Sequence, residues 1–169
     1  MKKGNGIITH KDLEDYKAIW RNPIVGYYKG YKVISMPPPS SGGIALMALL
    51  QSVENYPLKK WGFQSDSTIR AMVEAERRIY ADRATHMGDP DFYRVPVDQL
   101  IDAKFNQDRM SKVSLAKATN SDDVKATKFP GYESEETTHF SIVDKDGNAV
   151  SLTTTINGSY GSYVWVDGA

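Results

Sequence analysis

The chain has 169 residues, with 21 basic and 21 acidic side chains and no cysteine. A compact domain of this length buries roughly 70% of its unfolded surface, so one core is expected. Balanced charge gives no overall field that would recruit nucleic acid or an anionic membrane, and no apolar run is long enough to span a bilayer. The absence of cysteine excludes disulfides and thiolate nucleophiles, and the three histidines lack metal-ligand spacing.

The first third of the sequence predicts a helix, a hairpin and a second helix. Thr9 with Asp12 is typical of a capped helix start, which predicts a short helix over residues 10–17. Residues 25–28 and 31–35 read as two strands joined by a tight turn. Residues 44–55 are apolar almost all round, so this helix is expected to be the most buried.

A glycine-rich entry, residues 40–43, leads into that second helix. Free backbone N–H groups at such an entry can bind an anion. The alternative is that the pattern caps the helix and lets backbone pack closely, and we favour that structural interpretation.

A third helix is predicted from the caps at residues 65–67 to Met87 and is stopped by Gly88. The residues assigned to its inner face are Ile69, Met72, Val73, Glu76, Ile79, Tyr80 and Arg83. Its charged residues allow an anion-binding or paired-carboxylate site, but a solvated face with an ion pair between Arg78 and Asp82 is the commoner arrangement. For Asp82 and Arg83 we favour a buried ion pair that fixes the helix position, and for His86 a capping or packing role.

The segment before the last predicted hairpin changes character. Residues 98–110 predict an amphipathic helix, whereas residues 111–136 are polar and have little periodicity. A long irregular segment within a domain is usually functional or disordered. We therefore expect residues 111–136 to be the most mobile and protease-sensitive part of the chain.

The final hairpin carries the chemistry that the sequence predicts. Residues alternate from Thr138, a glycine-containing turn follows at 144–148, and residues 149–156 return as a second strand. Antiparallel pairing across this turn brings Thr137 towards Thr155. A threonine at a loop-to-strand junction that faces a second threonine is a candidate nucleophile, although threonine-rich hairpins are usually only structural.

The run Glu136-Thr-Thr-His-Phe-Ser-Ile-Val-Asp144, followed by Asp146-Gly-Asn-Ala-Val150, resembles the processing junction of the γ-glutamyltranspeptidases, which are N-terminal-nucleophile hydrolases. Upstream segments also resemble that family's large subunit: residues 36–43, residues 74–75 with residues 80–83, and residues 88–90. The resemblance covers essentially the whole chain in the same order. It implies an α/β (α+β) fold that is part of an αββα sandwich, with residues 1–136 ending the large subunit and residues 137–169 starting the small one.

The resemblance also implies the site. The precursor would cleave itself between Glu136 and Thr137, and Thr137 would then be the catalytic nucleophile. Thr155 matches the partner threonine that holds Thr137 and contacts substrate, and Asn157 resembles the side chain that contacts the bound γ-glutamyl group. No metal or organic cofactor is implied. The substrates would be glutathione and other γ-glutamyl compounds, with water, an amino acid or a peptide as acceptor.

Several further expectations depend on the chain being a middle portion of such an enzyme. The family's substrate-binding arginine, acidic pair and oxyanion donors would lie outside it, so the isolated piece is expected to be inactive. We expect large and small subunits to pair after cleavage, and the isolated piece to self-associate through exposed sheet edges. Export to the periplasm or medium is expected. The alternatives are a related amidohydrolase acting on poly-γ-glutamate or a β-lactam side chain, or an inert αβ binding domain.

Overall fold

The computed structural model describes residues 6–127 and 138–154. Within these ranges helices and strands are mixed, and both sheets are two-stranded and antiparallel. The helices are α1 (His10–Asp15), α2 (Gly42–Val53), α3 (Leu58–Trp61), α4 (Asp66–His86), α5 (Val97–Leu100) and α6 (Ala103–Ser111); the strands are β1 (Ile24–Tyr28), β2 (Tyr31–Ser35), β3 (Thr138–Val143) and β4 (Ala149–Thr154). None of the helices in the described ranges is both long and apolar enough to cross a bilayer.

The first helix and the first hairpin form as their local sequences predict. The Thr9 hydroxyl accepts the N–H of Asp12, and the Asp12 carboxylate accepts the N–H of Thr9, which completes a capping box at α1. Strands β1 and β2 pair from Ile24 opposite Ser35 to Tyr28 opposite Tyr31. Gly30 supplies the positive φ, 85°, that the tight turn between them requires.

Helix α2 lies at the centre of the core, which confirms its predicted burial. Two apolar clusters form around it. The first joins Ile44 and Met47 to Ile24, Met87 and Leu100. The second joins Ala48 and Val53 to Ala75, Ile79 and Met110. Because α2 is apolar on nearly every side, it can pack against the first hairpin, α4 and α6 at once.

The glycine-rich entry to α2 is a point of close backbone packing. A Cβ atom added at Gly43 would lie 2.1 Å from the Met36 carbonyl oxygen, a distance that real Cβ contacts essentially never show. A Cβ atom at Gly42 would meet only the Ser40 hydroxyl, at 3.4 Å. The second glycine is therefore required by sterics, in agreement with the structural interpretation of this segment.

The inner face of α4 differs from the predicted one. Ile79 is buried as expected, but Ile69, Val73 and Tyr80 are 49%, 44% and 54% exposed. The residues that are buried instead are Ala71, Glu74, Ala75, Ile79, Asp82 and His86. The prediction gave weight to the large apolar side chains, whereas α4 packs on α2 through Ala75 and Ile79 and turns polar groups inward.

The predicted helix over residues 98–110 is divided into α5 and α6. Ile101 and Asp102 separate them, and the Asp102 carboxylate accepts the N–H of Phe105 at 2.6 Å. An aspartate in that position starts a new helix, because its side chain satisfies a backbone donor at the first turn. Asp102 is thus the N-cap of α6, within a segment for which hydrophobic periodicity alone predicted one continuous helix.

Between residues 112 and 127, the described part of the polar segment after α6 is irregular apart from a 3-10 turn at Ser121–Asp123. The end of this described part is nevertheless attached to the core. Residues 119–127, which we call the strap, make hydrogen bonds to side chains of α4 and α6. Polar contacts replace the missing apolar ones at the strap, and the predicted mobility and protease sensitivity of residues 111–136 stay predictions.

A pair of alanine substitutions tests the packing at the α2 entry. Gly43→Ala should destabilise the 169-residue chain by about 1–3 kcal/mol, because the added methyl group forces Met36 and α2 apart. Gly42→Ala should be neutral or stabilise it by up to about 1 kcal/mol, because alanine is the better helix former and the space is open. Chemical denaturation followed by circular dichroism measures both. Equal effects at the two positions would contradict the steric explanation.

Candidate processing junction and its support

The second hairpin pairs in a single continuous register. Six pairs run from Thr138 opposite Thr154 to Val143 opposite Ala149. The turn is closed by the Asp144 carboxylate, which accepts the N–H groups of Asp146 and Asn148, each at 2.9 Å. The Asn148 side chain also donates to this carboxylate, and that bond together with the backbone bonds lowers the pKa of Asp144. The acidic turn residue therefore fixes the register that the sequence predicted.

The predicted site residues lie next to this hairpin. Glu136, Thr137, Thr155 and Asn157 are outside the described residues, so their predicted roles stay predictions. The described register ends at the pair of Thr138 with Thr154. This is the register that the predicted pairing of Thr137 with Thr155 needs.

Hydroxyl groups do pair across the described part of the hairpin. Ser141 Oγ and Ser151 Oγ lie 3.2 Å apart on opposite strands. Residues that are two or four positions along from such a pair return to the same face of a hairpin. A continuation of this register by one pair would put Thr137 and Thr155 on the face of the two serines.

Upstream of the hairpin, α4 carries a stripe of polar residues at four-residue spacing. The stripe consists of Glu74, Arg78, Asp82 and His86, which share one helix face because four residues are close to one turn. Glu74 is 2%, Asp82 4% and His86 0% exposed. Burying charged groups is unfavourable unless they are paired, so each of them must have partners.

Glu74 holds the start of the strap. Its Oε1 atom accepts the backbone N–H of Thr119 at 2.9 Å and a bond from Arg77 at 3.1 Å, and its Oε2 atom accepts from Arg78 at 2.5 Å. Burial alone would raise the pKa of Glu74, but the bonds from Arg78 and Thr119 outweigh it and lower the pKa to about 2. The carboxylate is therefore ionised at neutral pH.

The two arginines beside Glu74 also contact the strap directly. Arg77 Nη1 donates to the Thr119 carbonyl at 2.9 Å and Arg77 Nη2 to the Ser121 hydroxyl at 3.1 Å. Arg78 Nη2 donates to the Thr119 hydroxyl at 3.1 Å. All three polar groups of Thr119 thus bind one charged cluster on α4.

Asp82 holds the other end of the strap. Its Oδ1 atom accepts the backbone N–H of Thr127 at 2.7 Å, and its Oδ2 atom accepts from Arg109 of α6. The Thr127 carbonyl lies 2.5 Å from His86 Nε2, and because a carbonyl only accepts, that nitrogen carries the proton. Arg109 also donates to the Lys125 carbonyl at 3.2 Å.

These contacts revise the predicted ion pairs. Arg78 pairs with Glu74 and not with Asp82, whose partner is Arg109 from another helix. Asp82 does form a buried ion pair, but its partner there is Arg109 of α6, and His86 is a packing residue that also binds the strap. Hydrogen bonds to charged groups contribute about 1.5–3 kcal/mol each, so the network can order a segment with little apolar surface.

Arg83 supports a different contact. Its Nε atom donates to the Ser41 hydroxyl at 2.7 Å, which joins α4 to the entry of α2. The cavity between these helices, bordered by Ser41, Ala45 and Asp82, has a volume of about 10 Å³. That is room for about one water molecule, so this cavity between the helices cannot hold a substrate.

Sequence reasoning missed Glu74, Arg109, Thr119 and Thr127 as a connected group. The available signal was the spacing of 74, 78, 82 and 86, which repeats every four residues and puts two carboxylates on one line. Their partners on the strap could not be found in this way, because backbone N–H groups leave no trace in a residue pattern. In the described part of the chain, no group of three or more histidine and acidic side chains could hold a metal ion.

Comparison with known proteins agrees with these features. The family model of Gamma-glutamyltranspeptidase matches residues 1–169. The "Glutathione hydrolase proenzyme" of Escherichia coli (strain K12) is 46% identical over 162 residues, which are 96% of this chain and 28% of that protein. The "Acylase ACY 1 proenzyme" of Pseudomonas sp. (strain SE83) is 37% identical over 168 residues, which are 99% of this chain and 29% of that protein.

Solved structures give the same result. The γ-glutamyltranspeptidase of Helicobacter pylori superposes with a TM-score of 0.71 and 44% identity, over 75% of this chain and 36% of that one. This likeness confirms the predicted fold class, a mixed helix and strand fold of the N-terminal-nucleophile hydrolase kind. The chain belongs to the γ-glutamyltranspeptidase family. It spans less than a third of the length of the curated relatives that it matches.

Acid unfolding tests the role of Glu74. Its pKa is about 2 in the folded chain against an ordinary value of 4.5, so its ionised form favours folding. That contribution, about 3 kcal/mol, is fully present above pH 4.5 and is lost as the pH falls from 4.5 towards 2. The free energy of unfolding should therefore fall more steeply with acid in the wild-type chain than in Glu74→Gln.

The matched control is Asp91→Asn. Asp91 forms an ion pair with Arg21 at 2.6 Å, but its side chain is 47% exposed. Exposed pairs contribute at most about 1 kcal/mol, so this variant should keep nearly the wild-type pH dependence. A Glu74→Gln profile parallel to the wild type would show that the carboxylate is not held as described.

Proposed function

We propose that this chain carries the processing junction and the nucleophile of a γ-glutamyltransferase that also hydrolyses glutathione. Membership of the family supports the activity. The observation that carries the site is the register of the second hairpin, whose last described pair is Thr138 with Thr154. One further pair in this register would join Thr137 to Thr155.

Self-cleavage would begin with the Thr137 hydroxyl. Its oxygen attacks the carbonyl carbon of Glu136, the peptide C–N bond breaks, and an ester forms between Glu136 and the Thr137 side chain. The departing nitrogen takes a proton and becomes the free α-amino group of Thr137. Water then hydrolyses the ester, which releases the Glu136 carboxylate and restores the hydroxyl. Thr155 would hold and polarise the attacking oxygen.

Turnover would use the amine that cleavage creates. A threonine hydroxyl needs a base, and an α-amino group with a reference pKa near 7.7–8.0 suits that task at neutral pH. The Thr137 oxygen attacks the γ-amide carbonyl of glutathione, the amine of the remaining dipeptide leaves with a proton, and a γ-glutamyl ester remains. Water or the amino group of an acceptor then takes the γ-glutamyl group. Asn157 would contact that group in the pocket.

The proposal extends to assembly and location. The relatives are named as proenzymes, in agreement with cleavage of a precursor. We propose that the two products stay paired as large and small subunits. We also propose a periplasmic or secreted location, which fractionation of cells expressing the full-length precursor would test.

A second candidate is a related acylase that removes side chains from amides such as β-lactams. The observation in its favour is the 37% identity to an acylase proenzyme over 99% of the chain. The two activities share the nucleophile and differ in the pocket for the acyl group. Assaying the purified full-length protein with a γ-glutamyl anilide, poly-γ-glutamate and an acylated β-lactam distinguishes them.

Substitution at the junction tests the proposed nucleophile. In the full-length precursor, Thr137→Ala should abolish both self-cleavage and turnover of a γ-glutamyl anilide, because the attacking oxygen is gone. Thr155→Ala should slow cleavage by about tenfold or more, since it removes the hydroxyl that orients the nucleophile. Intact-mass measurement gives the cleaved fraction over time.

The matched control is Thr154→Val. Position 154 pairs with Thr138 and is on the opposite face from position 155. Valine keeps the β-branch, so cleavage should stay within about twofold of wild type. Cleavage that persists in Thr137→Ala, or that is lost equally in Thr154→Val, would refute the assignment.

The isolated 169-residue chain gives a further test. We expect it to remain uncleaved and to show negligible turnover, because the resemblance puts the oxyanion donors and substrate anchors elsewhere in the family's sequence. Each oxyanion donor alone is worth about 100- to 1,000-fold in rate. A γ-glutamyl anilide assay that ran near the rate of the full-length enzyme would show that the essential groups are all present in these residues.

A further inference from the structure

The strap has few means of ordering itself. Between Thr119 and Thr127 the only apolar residues are Val124 and Ala126. Segments of this composition do not bury enough apolar surface to offset the loss of backbone freedom. The order of the strap must therefore come from its polar contacts with α4 and α6.

Two of these contacts are hydrogen bonds between carboxylates of α4 and backbone N–H groups of the strap. Glu74 accepts the N–H of Thr119, and Asp82 accepts the N–H of Thr127. Both carboxylates are almost completely buried, and each is neutralised by an arginine: Arg78 for Glu74 and Arg109 for Asp82. Charge-assisted hydrogen bonds of this kind are short and directional, so they fix where the backbone lies.

The spacing along the two elements sets the direction of the strap. Glu74 and Asp82 are eight residues apart on α4, which is about 12 Å of helix. Thr119 and Thr127 are also eight residues apart, and an extended chain of that length would span up to about 27 Å. The 3-10 turn at Ser121–Asp123 takes up part of the difference. The strap therefore runs beside α4 in the same direction and ends at Thr127.

We propose that Glu74 and Asp82 are positioning residues for self-cleavage, acting through the strap. The inference rests on the proposed function, since it concerns the same junction. Thr127 is fixed nine residues before Glu136, so the junction is tethered to the core by a short length of chain. Neither carboxylate takes part in the reaction itself. Their effect is to limit the volume in which the Glu136 carbonyl and the Thr137 hydroxyl must meet.

Loop-closure entropy gives the size of the effect. Without the strap contacts, the nearest upstream residue packed on the core is Val113, 23 residues before Glu136. Lengthening a flexible tether from nine to 23 residues lowers the probability of a given end position by about fourfold, because that probability falls as the three-halves power of length. Loss of orientation adds to this. Glu74 and Asp82 also hold the arginines that contact the strap, so removing both carboxylates should release it and slow cleavage by about fourfold or more.

The experiment compares four full-length precursors: wild type, the double variant Glu74→Ala with Asp82→Ala, Thr127→Pro, and Asp91→Asn. Thr127→Pro removes the N–H that Asp82 accepts and leaves α4 and its ion pairs unchanged. Asp91→Asn breaks a surface ion pair that has no contact with the strap. Intact mass gives the first-order rate of cleavage, thermal unfolding gives the folded fraction, and hydrogen exchange follows the Thr119 amide.

The proposal predicts a specific combination of results. Cleavage is slowed by about fourfold or more in the double variant and by at least about twofold in Thr127→Pro, whereas Asp91→Asn cleaves at the wild-type rate. Once the cleaved forms have accumulated, their kcat/KM for a γ-glutamyl anilide equals that of wild type, because positioning of the junction is no longer needed. The Thr119 amide exchanges faster in the double variant only.

Other results overturn the inference. A folded double variant that cleaves within twofold of wild type shows that the strap does not position the junction. Equal losses in cleavage and in kcat/KM show that the carboxylates support the active centre in general. If the double variant does not fold, Thr127→Pro decides, and a wild-type cleavage rate there refutes the proposal. A wild-type precursor that does not cleave, or a Thr137→Ala precursor that does, refutes the proposed function instead.

Discussion

Two buried carboxylates on one helix determine the arrangement of the polar half of this structure. Glu74 and Asp82 are 2% and 4% exposed, and each accepts both an arginine and a backbone N–H. A buried acid without such partners would be strongly unfavourable, so the arginines and the strap are needed for α4 to pack as it does. The strap depends on the two carboxylates in turn, because it has no apolar core of its own.

The same helix joins this network to the apolar core. On one side α4 turns Ala75 and Ile79 towards α2, and on the adjacent side it turns Glu74 and Asp82 towards the strap. Small residues at the α2 contact allow close approach, so the polar stripe comes within hydrogen-bonding distance of the strap and of Arg109 on α6. Core packing and strap attachment are therefore two consequences of one helix position.

The sequence predicted the elements whose signals are local. The capping box at Thr9 and Asp12, the tight turn at Gly30 and the pairing around the Asp144 turn all depend on residues within a few positions of each other, and all three form. The predicted inner face of α4 was wrong, because small alanine side chains pack more closely than the large side chains that dominate a periodicity count. The strap contacts were missed because they join backbone N–H groups of the strap to side chains more than 40 residues away in the sequence.

Polar anchoring has a consequence that apolar packing would lack. The hydrophobic effect is non-directional, so an apolar segment is held in register only by the fit of its side chains. Here a slip of one residue would move the N–H groups of Thr119 and Thr127 away from Glu74 and Asp82 together, and two buried carboxylates would lose a donor at the same time. The register of the strap on α4 is thereby fixed at both ends. When the strap is held in one register, the chain after Thr127 starts from one fixed position. A reaction between neighbouring residues of that chain depends on such positioning.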